Sequence, residues 1–168
     1  HRILTTRGLV KPLSDAQQKV YDLLVEKASP HIIHGQRIIL TGCDAGGMNE
    51  EISVIVHHLR DFFDLDAIVA LVRTSEGIRL VARSASDQID VAALARRFNG
   101  GGHTRAAAAL IHVRQDQPAG SELARVSAEV LTALPEIVRP AVTVSQLMSG
   151  KPHLIKPAVS ARQAAHLM

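Results

Sequence analysis

"ARRFNGGGHTRAAAALI", Ala95 to Ile111, places three consecutive glycines, Gly100 to Gly102, before His103, and four alanines, Ala106 to Ala109, shortly after it. Glycine loses more conformational freedom on folding than any other residue. Three in a row therefore mark either a stretch that is not ordered or a backbone that must come very close to something. The second alternative has a chemical form. Successive N–H groups of a glycine loop can converge into an anion-binding nest, and a helix start behind the loop adds unpaired N–H groups and a favourable dipole. The alanines are strong helix formers, so "TRAAAALIHV" is expected to begin helical and end as a strand. His103 stands at the rim, where it can donate to a phosphate oxygen or exchange a proton near neutral pH. Arg105 is nearby, and its direction is open. The loop is neither a dinucleotide G-x-G-x-x-G nor a Walker loop, since no lysine follows the glycines. A flexible connector with a coincidental histidine is the competing reading.

Around this segment the pattern alternates between helix and strand. Ser14 and Asp15 can cap "SDAQQKVYDLLVEKA", where Val20, Leu23, Leu24 and Lys27 repeat at helical spacing up to a stop at Pro30. "QRIILTGCD" is β-rich and closes on the turn "DAGGMN". Asn49 is a candidate cap for "EEISVIVHHLRDFF", in which Ile52, Ile55, Val56, Leu59 and Phe63 form one apolar stripe. "DAIVALVRT" and "GIRLVARS" read as a hairpin around Ser75 to Gly77, and Asp90 caps the short helix "VAALARRF". A last amphipathic helix is expected from Pro118 to a stop at Pro135. The sum is an α/β (α+β layered) domain, a mixed β-sheet flanked by helices, over residues 14–135. Residues 1–13 read as a linker or arm. Pro140, Pro152 and Pro157 break up residues 136–168, whose apolar residues do not complete a unit.

Composition bounds the function. With 46% hydrophobic and 21% charged residues in 168, the chain is globular rather than disordered. Tyr21, Phe62, Phe63 and Phe98 are the only aromatics, so the core is aliphatic and a base-stacking platform, which needs several exposed rings, is not expected. A net charge of +3 suits phosphate-bearing partners but falls short of a nucleic-acid-coating surface. Cys43 is the sole cysteine, which excludes an intrachain disulfide and a cysteine-rich zinc site and favours a cytoplasmic setting. No apolar run approaches the roughly 18 residues of a membrane span. The chain opens on His1 and stops within "VSARQAAHLM", and is expected to be a piece of something longer.

"LVARSASDQIDVAALARRFNGGGHTRAAAA" resembles the C-terminal DHH-associated domain of the DHH phosphoesterase superfamily. Arg83 and Ser84 at a strand end, the helix start at Asp90-Val91, Phe98, the GGGH loop and the small-residue run fall in the family's order over roughly residues 14–115. The resemblance implies a domain that grips substrate phosphate and nucleotide through Arg83, Ser84, Gly100, Gly101, Gly102 and His103. Arginine suits phosphate because its planar fork can bind bidentately. Without the family, Arg83 reads as a solvated edge-strand residue. Two positions depart from the pattern: Asn99 stands where many members have a fourth glycine, and Ala108 where many have the glycine that ends the small-residue run.

The family's chemistry implies manganese or magnesium held by a preceding DHH domain, whose Asp-His-His motif is not in this chain. His57-His58 follow Val56, and adjacent helical side chains point about 100° apart, so the two cannot chelate one metal. No catalytic residue, metal ligand or cofactor is therefore assigned here. "VTVSQLMSGKPHLIKPAVSARQAAHLM" resembles the opening of a CBS domain and is too short to complete one. That order of domains resembles large bacterial proteins that continue into a tRNA nucleotidyltransferase/poly(A) polymerase-type domain. The expected function is to hold the phosphate of a nucleotide, oligonucleotide or RNA for a metal centre outside the chain, with DHH, CBS and nucleotidyltransferase domains as neighbours. The alternative is a non-catalytic regulatory module or a homodimerisation module, its contacts supplied by methyl-rich surfaces such as residues 54–59. A small enzyme using His103 alone lacks an accompanying carboxylate or nucleophile motif.

Overall fold

Ala67–Thr74 and Gly77–Ser84 bury almost every residue along their length, which strands do only when both faces of their sheet are covered. The computed structural model describes residues 12–46, 51–63, 65–113 and 118–140. In it these two runs, β3 and β4, are the central hairpin of a six-stranded mixed sheet with β1 (Ser29–Ile33), β2 (Gln36–Asp44), β5 (Gly101–His103) and β6 (Ala106–Ile111), in the order β1-β2-β3-β4-β6-β5. Only β2 and β3 run parallel. The crossover between them is α2 (Ile52–Phe63).

Period-two alternation sorts the side chains to two sides of the sheet. Leu40, Val69, Leu71, Leu80, Ala82, Ala107 and Ala109 pack under α3 (Val91–Arg97) and α4 (Ala119–Ile137). Ile39, Cys43, Ile68, Ala70, Val72 and Val81 pack under α1 (Asp15–Glu26) and α2. The result is the layered, mixed-sheet domain that the pattern of the sequence predicts. Ser14 caps α1 through a reciprocal pair with Gln17, and Asp90 caps α3 by accepting from the Ala93 amide, each satisfying an otherwise unpaired donor. The expected Asn49 cap lies outside the described residues, as do residues 1–11 and the CBS-like segment from 141 onward.

Four local expectations need correction. The alanine run is strand throughout: Ala106–Ile111 is β6, hydrogen-bonded to β4 on one side and to the glycines on the other. Sheet pairing and burial of alternate alanines override the residue's helix preference, which is a weak prior of a few tenths of a kcal/mol per position. Pro135 does not stop the last helix, which continues to Ile137; Leu134, Ile137 and Val138 are buried in the core, and Val138 bridges to Ile89. Pro30 follows the end of α1 but sits in β1, a strand missed from sequence, where an edge position tolerates a missing N–H. The methyl-rich part of α2 is not a free contact surface either, since Ile55, Val56 and Leu59 are fully buried against the sheet.

Candidate phosphate-binding face

α3 ends in a way that sets up everything after it. Phe98 is its C-cap, and Asn99 takes a left-handed φ of 57°. The Asn99 amide donates to the Arg96 carbonyl at 3.2 Å and the Gly100 amide to the Ala95 carbonyl at 2.9 Å. This pair of bonds is the Schellman closure of a helix. Asparagine is the residue after glycine that best tolerates this conformation, so the departure at Asn99 keeps the backbone geometry.

The glycines then separate into two roles. A Cβ on Gly100 would lie 2.3 Å from the Ala108 carbonyl oxygen, and one on Gly102 would lie 2.4 Å from that of Ala106. Gly102 also has φ +138°, a region that side chains rarely occupy. These two are glycine because β5 is pressed directly onto β6. Gly101 has nothing within 4 Å of where its Cβ would be. Gly101 and Gly102 thus belong to a short edge strand, not the lead-in to a helix, and the amide of Gly100 just before it is already spent on the α3 cap. The expected helix-start contribution to anion binding is absent, because no helix follows.

What the hairpin builds instead is a face. Register aligns Ile68, Arg83, Ala106 and His103 in one row across β3, β4, β6 and β5, and Ala70, Val81, Ala108 and Gly101 in the next. Paired residues in register share a side of the sheet, and this is the side that α2 covers over β3. Past β4 the cover ends: Ala70 and Val81 are buried, while Ala108, Gly101 and His103 are exposed. Arg83 and His103 stand two strands apart, roughly 10 Å by strand spacing, with only methyl groups or hydrogen on the floor between them. A groove of about 530 Å³ runs on from this floor between Glu51, Ser53 at the start of α2 and the Val81, Ala108 and Leu110 positions of the sheet.

Arg83 is half-buried, and its guanidinium donates from Nη1 to the Ala82 carbonyl at 3.2 Å. Among the described residues no carboxylate forms an ion pair with it. Burial, and next the Arg60 guanidinium, push its pKa down, while Glu51 pulls it up. An arginine held beside another cation and short of a carboxylate is stabilised by an added anion. Sequence reading missed Arg60; its only signal was the i, i+7 spacing from Ser53, which puts both on one side of α2.

Ser84 does not join this face. It alternates to the other side of the sheet, is buried, and donates its hydroxyl to the Ser86 carbonyl at 2.6 Å while accepting from the Ser86 amide at 3.1 Å. Its side chain shapes the loop after β4 and is committed there. Arg105 also points elsewhere, pairing with Asp87. His57 pairs with Asp61 at 3.6 Å on the outside of α2. Among the described residues no group of three His, Cys, Asp or Glu side chains comes together that could hold a metal ion, so no chemical step is derived through a metal here.

Comparison with known proteins gives this face a context. The chain is 41% identical over 99 residues to the A-adding tRNA nucleotidyltransferase of Geobacter sulfurreducens, an alignment covering 59% of this chain and 10% of that protein. The chain thus spans about a tenth of the length of that relative. The crystal structure of an exopolyphosphatase-related protein from Bacteroides fragilis matches with a TM-score of 0.55 at 16% identity, over 75% of this chain and 37% of that one; at that identity the likeness is one of fold. A pGpG-specific phosphodiesterase from Vibrio matches at 12% identity and TM-score 0.46 over 73% of this chain and 40% of that one. The model of the DHHA1 domain matches residues 35–131. That span takes in every strand from β2 to β6, the glycine hairpin and most of α4, more than half of the chain, and by it the chain belongs to the DHHA1 domain family.

Proposed function

We propose that this chain is the substrate-holding domain of a DHH-type phosphoesterase assembly, and that the open side of β4, β6 and β5 grips the phosphate of a nucleotide or short oligonucleotide. The observation that carries this reading is the row Arg83–Ala106–His103: two groups able to donate to phosphate, on the same side of the sheet with only the Ala106 methyl between them. Arg83 supplies a desolvated guanidinium, which binds phosphate more strongly than a solvated one because less water must be displaced. His103 supplies an imidazole N–H from the other side. Gly101 lets the ligand lie against backbone, and Ala108 and Leu110 offer apolar surface to the nucleoside beyond it. Ala108 adds one methyl to the floor where many family members have none, which favours a thinner ligand at that point.

In this reading the chain binds and orients, and bond breaking belongs to a manganese or magnesium centre in a neighbouring DHH domain. CBS and nucleotidyltransferase/poly(A) polymerase-type domains in the same parent, an RNA substrate and a cytoplasmic location are parts of the same proposal; the similarity to a tRNA nucleotidyltransferase supports the parent. Among the described residues no helix is long and apolar enough to cross a membrane. The test is calorimetric titration of a 5′-phosphorylated dinucleotide into the 168-residue chain and its Arg83→Ala variant. Binding by the wild type, weakened by about 1.5–3 kcal/mol in the variant without loss of fold, is expected. Equal affinities would sink the proposal. With added manganese the chain alone should leave the dinucleotide intact.

A further inference from the structure

The turn that presents His103 is held by the end of β4 and the start of α3. Thr104 and Arg105 connect β5 to β6, and the Thr104 carbonyl accepts from the Val91 amide at 3.0 Å, the Arg105 carbonyl from the Ser84 amide at 2.9 Å. The Arg105 side chain then turns back onto the loop after β4, where its Nε and Nη2 donate to the two carboxylate oxygens of Asp87 at 2.8 and 2.9 Å. That loop begins at Ala85, two residues after Arg83. Both ends of the phosphate-facing row are therefore tied at one point.

We propose that the Asp87–Arg105 pair is a positioning clamp that fixes His103 relative to Arg83 across the open face. The geometry separates this role from a stabilising one. The pair is exposed, 57% for Arg105 and 72% for Asp87, and exposed ion pairs add little to stability. A two-pronged contact between planar groups nevertheless fixes distance and orientation together, and groups that must meet one ligand from two sides lose affinity steeply when displaced. The clamp also withdraws Arg105 from phosphate binding: its hydrogen bond to Asp87 lowers the carboxyl pKa and raises that of the guanidinium. Asp87 and Arg105 thus act through Arg83 and His103 and do not touch the ligand. The inference rests on the phosphate reading above, and the measurement is arranged so that the two can fail separately.

The experiment uses the 168-residue chain with Arg105→Lys, Asp87→Asn and the exchanged pair Asp87→Arg with Arg105→Asp. Without ligand, hydrogen exchange is followed at the Ser84 and Val91 amides, whose acceptors are the turn carbonyls, against amides within α4. With ligand, affinity for a 5′-phosphorylated dinucleotide is measured. The single variants are expected to speed exchange at Ser84 and Val91 by about tenfold, with α4 and the melting temperature unchanged, and to weaken dinucleotide binding about fivefold. The exchanged pair should recover a large part of both. Unchanged exchange in both single variants overturns the clamp whatever the dinucleotide does. Faster exchange with unchanged affinity overturns its role in positioning. A wild type that does not bind the dinucleotide overturns the phosphate reading itself, and with it the purpose given to the clamp.

Discussion

One row of the sheet passes through two different environments. Ala70 and Val81 are sealed beneath α2, whereas their register partners Ala108 and Gly101 lie exposed on the same side of the same sheet. In the covered half the positions on this side are Ile68, Ala70, Val72 and Val81, and they fill the space between sheet and helices. In the uncovered half the outward positions are alanine, glycine and histidine. Large aliphatic side chains make a core where two layers meet; small ones make a floor where a ligand can meet backbone. The other side of the uncovered half is not loose, since Ala107 and Ala109 are buried under α3. The small residues there serve close packing, and the same residue type has two uses on alternate positions of one strand.

The sharpest way to break the comparison is chemical labelling of the covered half. Cys43 is fully buried, and burial pushes its thiol up to about 11, with Lys27 opposing and Asp44 adding to the shift. The reactive thiolate is therefore scarce in the folded state at pH 8. Iodoacetamide modification should be slower than in the unfolded chain by on the order of a thousandfold or more, because it waits on unfolding. Alkylation at the rate of a free thiol would mean that α1 and α2 do not seal the sheet. Next in size, Leu71→Ala should cost about 3–4 kcal/mol in urea unfolding, the range for a fully enclosed leucine.

At the boundary between the halves, Gly102→Ala should cost about 3 kcal/mol, combining a clash with the Ala106 carbonyl and a strained φ. The smallest effect on folding is expected one residue earlier. Gly101→Val puts its Cβ in open space and should change stability by less than about 1 kcal/mol, while its methyls stand on the floor and weaken dinucleotide binding. A Gly101→Val chain as unstable as the Gly102→Ala chain would show that the three glycines act as one unit and that the division drawn between them is wrong.

The covered half was largely legible in the sequence. The apolar runs "AIVALV" and, after Arg79, "LVA", the Ser75–Gly77 break, and the cap residues Ser14 and Asp90 each carry a local physical signal that agrees with the tertiary arrangement. The uncovered half was legible in its residues and not in its geometry. Four identical alanines show no alternation, so the period of two that marks a strand was hidden and the helix preference of alanine stood unopposed. Whether a glycine faces a neighbouring backbone or open space depends on register, and this is why Gly100 and Gly102 could not be told from Gly101. Ser84 was assigned with Arg83 through the family resemblance, although neighbours on a strand point to opposite sides. Pro135 remained in a helix because buried Leu134 and Ile137 hold that turn in place, a tertiary effect no local pattern records.

The central claim is that ligand phosphate sits on the uncovered side of β4, β6 and β5. It is tested most directly by an NMR titration of the 168-residue chain with a 5′-phosphorylated dinucleotide, following backbone amides and the His103 imidazole. The account predicts shifts concentrated at Arg83, Gly101, His103, Ala106 and Ala108, with Val126 and Val130 of α4, buried on the far side, unmoved. Shifts centred on α4, or spread evenly over the surface arginines without His103, would contradict it.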